Sequence, residues 1–213
     1  MCEKKELTKR LILVTSPPAC GKTYVSKALS KELQPIVYLD KDTVIPLSKK
    51  VFEVANEPFD RSSDFFEKWV RDPEYEITVD FALEALEYAD LCLINAPFTR
   101  ELAFKKQHYI DYMTELHERL HKIGAKLTVI FVQVDPEIVR QRMIDRAAVD
   151  PDAKERDWWK IEHWEEYNAG RNYDPPTELM EKSGVVDEFF VVNNNSIETL
   201  NASMAELRKI FIK

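Results

Sequence analysis

The sequence has 213 residues, of which 45% are hydrophobic and 32% charged, and it carries a net charge of −8. These values are typical of a globular chain that builds one sizeable core, so we expect a single domain over residues 1–213. No long basic run is present, which argues against a dedicated nucleic-acid binder because phosphate neutralisation needs clustered lysine and arginine. A small anionic ligand held by a few arginines is not excluded.

The three cysteines, Cys2, Cys20 and Cys92, are scattered and odd in number. This usage indicates reduced thiols in a cytoplasmic protein. The apolar run at residues 11–14 is too short for a signal sequence or a membrane span, so we expect no membrane partner.

That apolar run predicts a strand, and a short loop and a helical pattern follow it. The loop consists of Ser16, Pro17, Pro18, Ala19, Cys20, Gly21, Lys22 and Thr23. A loop that leads into a helix N-terminus directs backbone N–H groups and the helix dipole at one anion. In the P-loop pattern G-x-x-x-x-G-K-[ST] the lysine reaches the β- and γ-phosphates and the hydroxyl binds Mg²⁺, parts that fall to Lys22 and Thr23. Ser16 replaces the first glycine, which the turn accepts if its φ stays negative.

A second strand is predicted at residues 36–39, and Asp40 and Asp42 follow it. Residues at the carboxyl ends of buried parallel strands face the ligand crevice. A carboxylate there accepts a hydroxyl proton or holds Mg²⁺ through water. The alternative is that Asp40 or Asp42 only caps a helix that begins near Val44.

The polar and aromatic composition of residues 43–75 predicts short helices above the sheet, in the place of a substrate flap. Arg61 and Arg71 in this segment either contact an anionic substrate or are solvated surface arginines. The next helix, residues 77–89, is predicted to bury one face, made of Ile77, Phe81, Ala85 and Tyr88.

A third strand is predicted at residues 91–94, followed by Asn95 and Arg100. P-loop NTPases often have an aspartate where this chain has Asn95, and that aspartate holds the Mg²⁺ shell. Arg100 lies just beyond the strand, where a guanidinium can clamp a phosphate in bidentate fashion.

The helix after Arg100 shows an apolar stripe and ends at Gly124, a favourable C-cap residue. The stripe consists of Tyr109, Met113, Leu116, Leu120 and Ile123. Its histidines, His108, His117 and His121, match no zinc-binding motif and are interpreted as surface or packing residues.

The fourth strand, residues 127–134, is nearly continuous in apolar residues, as a buried parallel strand should be. Asp135 and Pro136 then begin a helix as N-cap and first residue. On it Arg142 and Arg146 share one face, from which both can reach a triphosphate. The alternative is a surface charge pair with Asp145.

Residues 147–176 are charged and aromatic and include Trp158, Trp159 and Trp164. The segment is interpreted as a lid over bound nucleotide, in which Arg156 or Arg171 adds a phosphate contact. A docking surface for a second copy in a homodimer, or simple packing, explains the tryptophans equally well. A fifth strand at residues 189–192, a turn of asparagines and an N-cap at Ser196 precede the last helix, with its stripe at Ile197, Leu200, Met204, Leu207 and Phe211.

Five β-runs alternate with helices, which predicts a three-layer α/β sandwich with a parallel sheet. The chain resembles the P-loop kinases of small molecules and nucleotides, that is, the adenylate-kinase-like group together with the AAA-type branch of zeta toxins and polynucleotide kinases. The resemblance covers nearly the whole chain in element order. It implies the P-loop NTPase fold and the strand order 2-3-1-4-5.

The resemblance also implies roles for single residues. Asp42 matches the aspartate that activates the accepting hydroxyl in polynucleotide kinases, although Ile45 stands where that branch has an arginine, which weighs against a polynucleotide substrate. Arg142 matches the arginine that stacks on adenine, and Arg146 the one that meets phosphate. The turn that holds Asn193 and Asn194 matches the loop that borders the adenine.

We therefore expect a phosphotransferase that uses ATP and Mg²⁺ on a small hydroxyl- or phosphate-bearing acceptor. Lys22, Asp42, Arg142 and Arg146 would carry catalysis, Asp40, Asp42 and Arg100 would contact the acceptor, and Thr23 would bind Mg²⁺ with Asp40 or Asp42 through water. The alternatives are an ATP-binding regulatory or toxin-like module with little turnover and a purely structural protein.

Overall fold

The computed structural model describes residues 8–211, with the side chains of residues 152, 153, 155, 156 and 179 outside the described part. Cys2 and the side chain of Arg156 therefore lie outside the described residues. Five strands form one parallel sheet in the order β2-β3-β1-β4-β5, which confirms the predicted topology. The strands are β1 Lys9–Thr15, β2 Val37–Asp40, β3 Leu91–Asn95, β4 Ala125–Gln133 and β5 Glu188–Asn193.

Helices connect the strands and cover both faces of the sheet. They are α1 Lys22–Glu32, a 3₁₀ turn at Lys41–Val44, α2 Ile45–Ala55, α3 Asp64–Trp69, α4 Arg71–Tyr88, α5 Gln107–Lys122, α6 Pro136–Val149, α7 Pro151–Glu162, α8 Trp164–Asn168, α9 Thr177–Ser183 and α10 Ile197–Phe211. Between residues 8 and 211, no helix combines the length and the apolar character needed to cross a membrane.

The central strand β1 supplies apolar side chains to both faces of the sheet. Leu11 and Leu13 pack into the cluster beneath α4 and α5, while Ile12 and Val14 pack into the cluster beneath α1, α6 and α10. All four are fully buried. Each such burial contributes roughly 2 kcal/mol, so the strand that leads into the phosphate loop is held firmly on both sides.

Helix α4 differs from the sequence prediction in its start and in its buried face. It begins at Arg71, and it buries Tyr75, Val79, Ala82 and Leu86. The predicted stripe is wrong, since Phe81 and Tyr88 are 54% and 86% exposed. The helix has apolar residues around its whole circumference, so periodicity alone does not identify the buried face. The packing of neighbouring elements determines which side is buried.

Other helices keep their predicted positions. The α5 stripe is buried at Tyr109, Met113, Leu116 and Leu120, and Ser196 accepts a hydrogen bond from the Thr199 N–H, as an N-cap should. Of the α10 stripe, Ile197 is exposed, whereas Leu200, Met204 and Leu207 are buried.

Candidate functional site

A cleft of about 520 Å³ opens above the carboxyl ends of the strands, on the side of the sheet where β1 runs into the phosphate loop. Ligands of open α/β sheets bind at this position. Four acidic side chains line the cleft together with eight cationic ones: Lys22, Lys41, Arg61, Arg71, Arg100, Arg146, Lys160 and Arg171. This excess of positive charge in an acidic protein favours an anionic ligand.

The phosphate loop is shaped by two residues with positive φ. Ala19 has φ 65° and Gly21 has φ 90°, and Gly21 serves as the N-cap of α1. A Cβ on Gly21 would lie 2.4 Å from Nδ2 of Asn194, so only glycine fits there. Ser16 is not one of the positive-φ positions, which explains how serine replaces the first glycine of the motif.

Lys22 is the first residue of α1, and its ammonium group bends back over the loop. Its Nζ donates to the carbonyl oxygens of Ser16 and Pro17, each at 3.0 Å. Burial lowers the pKa of Lys22 to about 8, against the opposing influence of acidic neighbours that include Asp42. The lysine is thus held at the centre of the loop, and its ammonium group is less basic than that of an exposed lysine.

Cys20 packs inside the loop rather than facing the cleft. Its side chain is fully buried, and burial raises the pKa of its thiol. This placement fits a small residue that fills a tight turn.

The loop is tied to the turn after β5 by Asn194. Nδ2 of this buried residue donates to the Cys20 carbonyl at 2.8 Å. The Asn194 carbonyl in turn accepts from the Arg142 guanidinium at 2.7 Å. Arg142, Asn193 and Asn194 therefore lie together beside the phosphate loop, whereas Arg146, one turn further along α6, lines the cleft itself.

An oxygen-rich group lies at the ends of β2 and β3. Nδ2 of Asn95 donates to Thr23 Oγ1 at 3.1 Å and to Asp40 Oδ2 at 2.9 Å, and the Tyr38 hydroxyl donates to the same Asp40 oxygen at 2.9 Å. The side-chain oxygen of Asn95 is buried and has no hydrogen-bond partner among residues 8–211. The hydroxyl, amide and carboxylate oxygens gathered here suit Mg²⁺.

Asp40 and Asp42 have different surroundings. Asp40 caps the 3₁₀ turn that begins at Lys41, and not a helix that begins near Val44, by accepting the Asp42 N–H at 3.0 Å. Asp42 does not act as a cap: its side chain is 71% exposed, lines the cleft and pairs with Lys41 at 3.4 Å. Asp42 is thus the more accessible carboxylate.

Three arginines that line the cleft are each held by a glutamate. Arg61 forms a bidentate pair with Glu74 at 2.6 and 2.7 Å, Arg71 binds Glu101 at 2.6 Å, and Arg100 binds Glu67 at 2.5 and 3.0 Å. Arg71 is buried and not a surface arginine.

Sequence reasoning missed the three glutamates, because no local pattern distinguishes an acid that orients an arginine from a solvated one. A buried acid near the start of a helix, such as Glu74, is recognised only when its partners on other elements are known.

The segment after α6 reaches the cleft through a buried carboxylate. Asp157 pairs with Arg146 and accepts from Lys160 at 2.9 Å. The tryptophans separate into two groups: Trp164 is buried in the core, while Trp158 and Trp159 are about half exposed. Packing therefore explains Trp164 alone.

A family model described as an AAA domain matches residues 11–169 of the sequence. The chain belongs to the AAA-domain family. The matched span of this AAA-domain protein runs from β1 past α8 and includes the phosphate loop, Asp40, Asp42, Asn95 and the cleft-lining part of α6. A comparison with curated proteins finds no match.

Solved structures with the same architecture include a provisionally assigned kinase from Chloroflexus aurantiacus, with 20% identity, a TM-score of 0.58 and 96% coverage of both chains. TT1252 from Thermus thermophilus has 15% identity and a TM-score of 0.54, with 96% of this chain and 98% of that chain covered. A structure from the PezAT chromosomal toxin–antitoxin system of Streptococcus pneumoniae has 14% identity and a TM-score of 0.54, with 100% and 90% covered. At these identities the likeness concerns the fold, and the P-loop NTPase fold expected from the resemblance is confirmed.

Proposed function

We propose that this AAA-domain protein is a kinase that transfers the γ-phosphoryl group of ATP to a small anionic acceptor that bears a hydroxyl or phosphate group. The observation that carries the proposal is the continuity of the cleft: one cleft is lined both by Lys22 of the phosphate loop and by the guanidinium groups of Arg61, Arg71 and Arg100. Two anionic molecules can face each other between them.

The donor end of the cleft accounts for ATP. Lys22 and the amides at the start of α1 hold the β- and γ-phosphates, and Arg146 neutralises charge that develops on the transferred group. Arg142 and the backbone of Asn193 and Asn194 border the adenine. Catalysis on this arrangement is mostly positioning and charge neutralisation.

Mg²⁺ fits the oxygen-rich group at Thr23, Asp40 and Asn95. The buried oxygen of Asn95, which has no partner within the described part of the chain, supports this fit, since such an atom ordinarily finds a ligand or water. Thr23 would bind the ion directly, and Asp40 or Asp42 would do so through water. When bound, Mg²⁺ neutralises the β- and γ-phosphate oxygens.

At the acceptor end, Asp42 accepts the proton of the attacking hydroxyl. The acceptor oxygen bonds to the γ-phosphorus while the bond to the bridging β-phosphate oxygen breaks, so ADP leaves with the electron pair. Arg100, Arg61 and Arg71 hold the anionic group of the acceptor. If the acceptor is itself a phosphate, its attacking oxygen is already deprotonated and no base is needed.

Two segments would cover the cleft during turnover. The flap of residues 43–75 contributes Arg61 and Arg71, and the lid of residues 147–176 contributes Lys160 and Arg171. Both segments would belong to a single domain of residues 1–213. The exposed Trp158 and Trp159 leave a homodimer contact on the lid as a further proposal.

The test is phosphoryl transfer from ATP over a panel of sugars, hydroxy acids and nucleoside monophosphates. Lys22→Ala should lower transfer to the accepted substrate by at least about 100-fold and leave thermal stability near that of the wild type. Lys27→Ala, on the exposed face of the same helix, should change neither. Unchanged turnover in Lys22→Ala would contradict the proposal.

A regulatory or toxin-like ATP-binding module is the second candidate, because Asn95 occupies the position where an aspartate often holds Mg²⁺. Calorimetric titration with ATP separates the two candidates. Binding of ATP without transfer to any member of the panel supports the regulator, and binding with transfer supports the kinase.

A further inference from the structure

Two histidines and an aspartate meet next to the amino ends of β4 and β5, whereas the cleft lies at the carboxyl ends of the strands. His117 and His121 are four residues apart on α5, so both lie on one face of its last turns. Asp187 lies just before β5, some distance away in the sequence but adjacent in the fold. The sequence interpretation of these histidines as surface or packing residues missed Asp187, because β5 pairs beside β4 only in the folded protein.

The ligand atoms of the three side chains converge. Nε2 of His117 lies 3.2 Å from Asp187 Oδ1, and Nε2 of His121 lies 3.0 and 3.1 Å from the two Asp187 oxygens. All three ligand atoms fall within 4.8 Å of one another. Around a tetrahedral zinc ion with bonds of about 2.0–2.1 Å, neighbouring ligand atoms are about 3.3 Å apart, a separation close to the imidazole–carboxylate distances seen here.

The carboxylate is fixed before any ion arrives. Leu127, on β4, donates its N–H to Asp187 Oδ2 at 2.7 Å, and the Leu127 carbonyl accepts the Asp187 N–H at 3.0 Å. A hydrogen bond to a ligating carboxylate is a usual feature of metal sites, because it orients the ligand. The backbone of β4 thus presents Asp187 to the two imidazoles.

The site is covered on one side and open on the other. The side chains of His117 and Asp187 are only 16% and 19% exposed, whereas His121 is 37% exposed. Three protein ligands with an open position suit an ion that keeps one water. Two imidazoles and one carboxylate favour Zn²⁺ over Mg²⁺, which prefers oxygen ligands alone.

We propose that His117, His121 and Asp187 form a Zn²⁺ site, with one ion per chain, that clamps the end of α5 to β4 and to the start of β5. The site does not depend on the kinase proposal, since it lies at the opposite end of the strands from Lys22. Its consequence is structural: Zn²⁺ binding stabilises the folded chain.

The experiment is calorimetric titration of Zn²⁺ into the full chain, purified without a polyhistidine tag and with excess Mg²⁺ to occupy oxygen-only sites. A Cys2→Ser background removes the thiol that lies outside the described residues. We expect one ion per chain and a melting temperature that rises with Zn²⁺. His121→Ala and Asp187→Asn should weaken binding at least about 10-fold and abolish the rise. The amide introduced by Asp187→Asn retains an oxygen for the Leu127 N–H.

His108→Ala is the matched control, because His108 is exposed on the same helix but outside the cluster. It should bind Zn²⁺ like the parent, and so should Lys22→Ala. A tetrahedral absorption spectrum of the Co²⁺-substituted parent, lost in His121→Ala, would support the assignment. Absence of Zn²⁺ binding, or equal binding by the parent, His121→Ala and Asp187→Asn, would overturn it and leave a hydrogen-bonded His–Asp cluster.

Discussion

Asn95 shows how a single side chain can connect three parts of the candidate site. One amide nitrogen reaches Thr23 at the start of α1 and Asp40 at the end of β2, while the backbone of Asn95 belongs to β3. An aspartate at this position would bring a second negative charge next to Asp40 and could not donate to either oxygen. The amide therefore fixes the two oxygens without repulsion, but it lacks the negative charge that an aspartate would offer to the proposed Mg²⁺.

Gly21 is the residue whose replacement tests the shape of the phosphate loop. Gly21→Ala would add a Cβ at 2.4 Å from Asn194 Nδ2, so Asn194 must move and its bond to the Cys20 carbonyl breaks. We expect ATP affinity to fall at least about 10-fold, measured by calorimetry, because the displaced loop no longer directs its amides at the phosphates.

Gly184→Ala is the control for this change. Gly184 also has a positive φ, 64°, but a Cβ there meets nothing within 4 Å. The backbone strain of about 1–2 kcal/mol is common to both variants, so a loss of ATP affinity confined to Gly21→Ala shows that the effect arises at the phosphate loop and not from strain elsewhere in the fold. Equal losses of affinity in the two variants would contradict the steric explanation.

The basicity of Lys22 predicts how ATP binding depends on pH. Burial lowers the pKa of Lys22 to about 8, so the free protein loses this charge as the pH rises through that value. Phosphates favour the charged form, so binding above about pH 8 must take up a proton and affinity must fall, by up to about tenfold per pH unit. Calorimetry in buffers of different ionisation enthalpy measures the proton uptake.

Lys22→Arg provides the comparison, because arginine stays protonated throughout this range. Its ATP affinity, whatever its absolute value, should be flat between about pH 7 and about pH 9. A decline in this variant as steep as in the wild type would mean that another group titrates.

At the scale of elements, Glu74 joins the parts of the flap. From α4 its carboxylate accepts from Lys41 in the 3₁₀ turn at 2.8 Å, from Ser48 on α2 at 2.6 Å and from both guanidinium nitrogens of Arg61. Burial raises the pKa of Glu74, but the hydrogen bonds from Arg61, Lys41 and Ser48 outweigh it and hold the pKa below its ordinary value. The carboxylate of Glu74 thus connects the 3₁₀ turn, α2 and Arg61 to α4.

Glu74→Gln should therefore destabilise the fold. The variant leaves Lys41, itself only 3% exposed, with much less compensation for its buried charge. Breaking such a pair costs about 3 kcal/mol, which lowers the melting temperature of a chain of this size by roughly 6–12 °C. Glu76→Gln, two residues along the same helix at an exposed position, should stay within about 0.5 kcal/mol of wild type. Similar melting temperatures for the two variants would refute the role of Glu74.

The elements differ in how far the sequence could predict them. Residues 11–14 form a continuous apolar run and residues 127–134 a nearly continuous one, so the strands and their order followed from local pattern and from the resemblance. Helix α4 has apolar residues around its whole circumference, and its buried face depended on packing. The contacts of Glu67, Glu74 and Glu101 with arginines, and those of the His–Asp cluster, join distant segments of the chain. No local sequence signal exists for such contacts.

At the scale of the whole molecule, charge is unevenly distributed. The chain has a net charge of −8, yet cationic side chains outnumber acidic ones by eight to four along the cleft. Glu74 and Glu101 offset part of this excess, because they pair with Arg61 and Arg71. The remaining positive charge would favour small polyanions inside the cleft, while the rest of the surface, which carries the excess of acid, would repel large ones. This separation selects by size among ligands of the same charge.

This distribution predicts opposite behaviour for ATP and for a long polyanion. ATP affinity should decline steadily with added NaCl, because charges that are partly open to solvent are screened. Heparin or single-stranded RNA should not displace a fluorescent ATP analogue at any salt concentration. A long polyanion does not fit into a cleft of about 520 Å³, and the protein surface outside the cleft is acidic. Arg100→Glu reverses one of the cationic charges that line the cleft. This change should reduce the salt dependence of acceptor binding, because less positive charge remains to be screened. Displacement of the analogue by heparin at low salt would show that the cationic side chains form an open surface and not an enclosed site for a small anion.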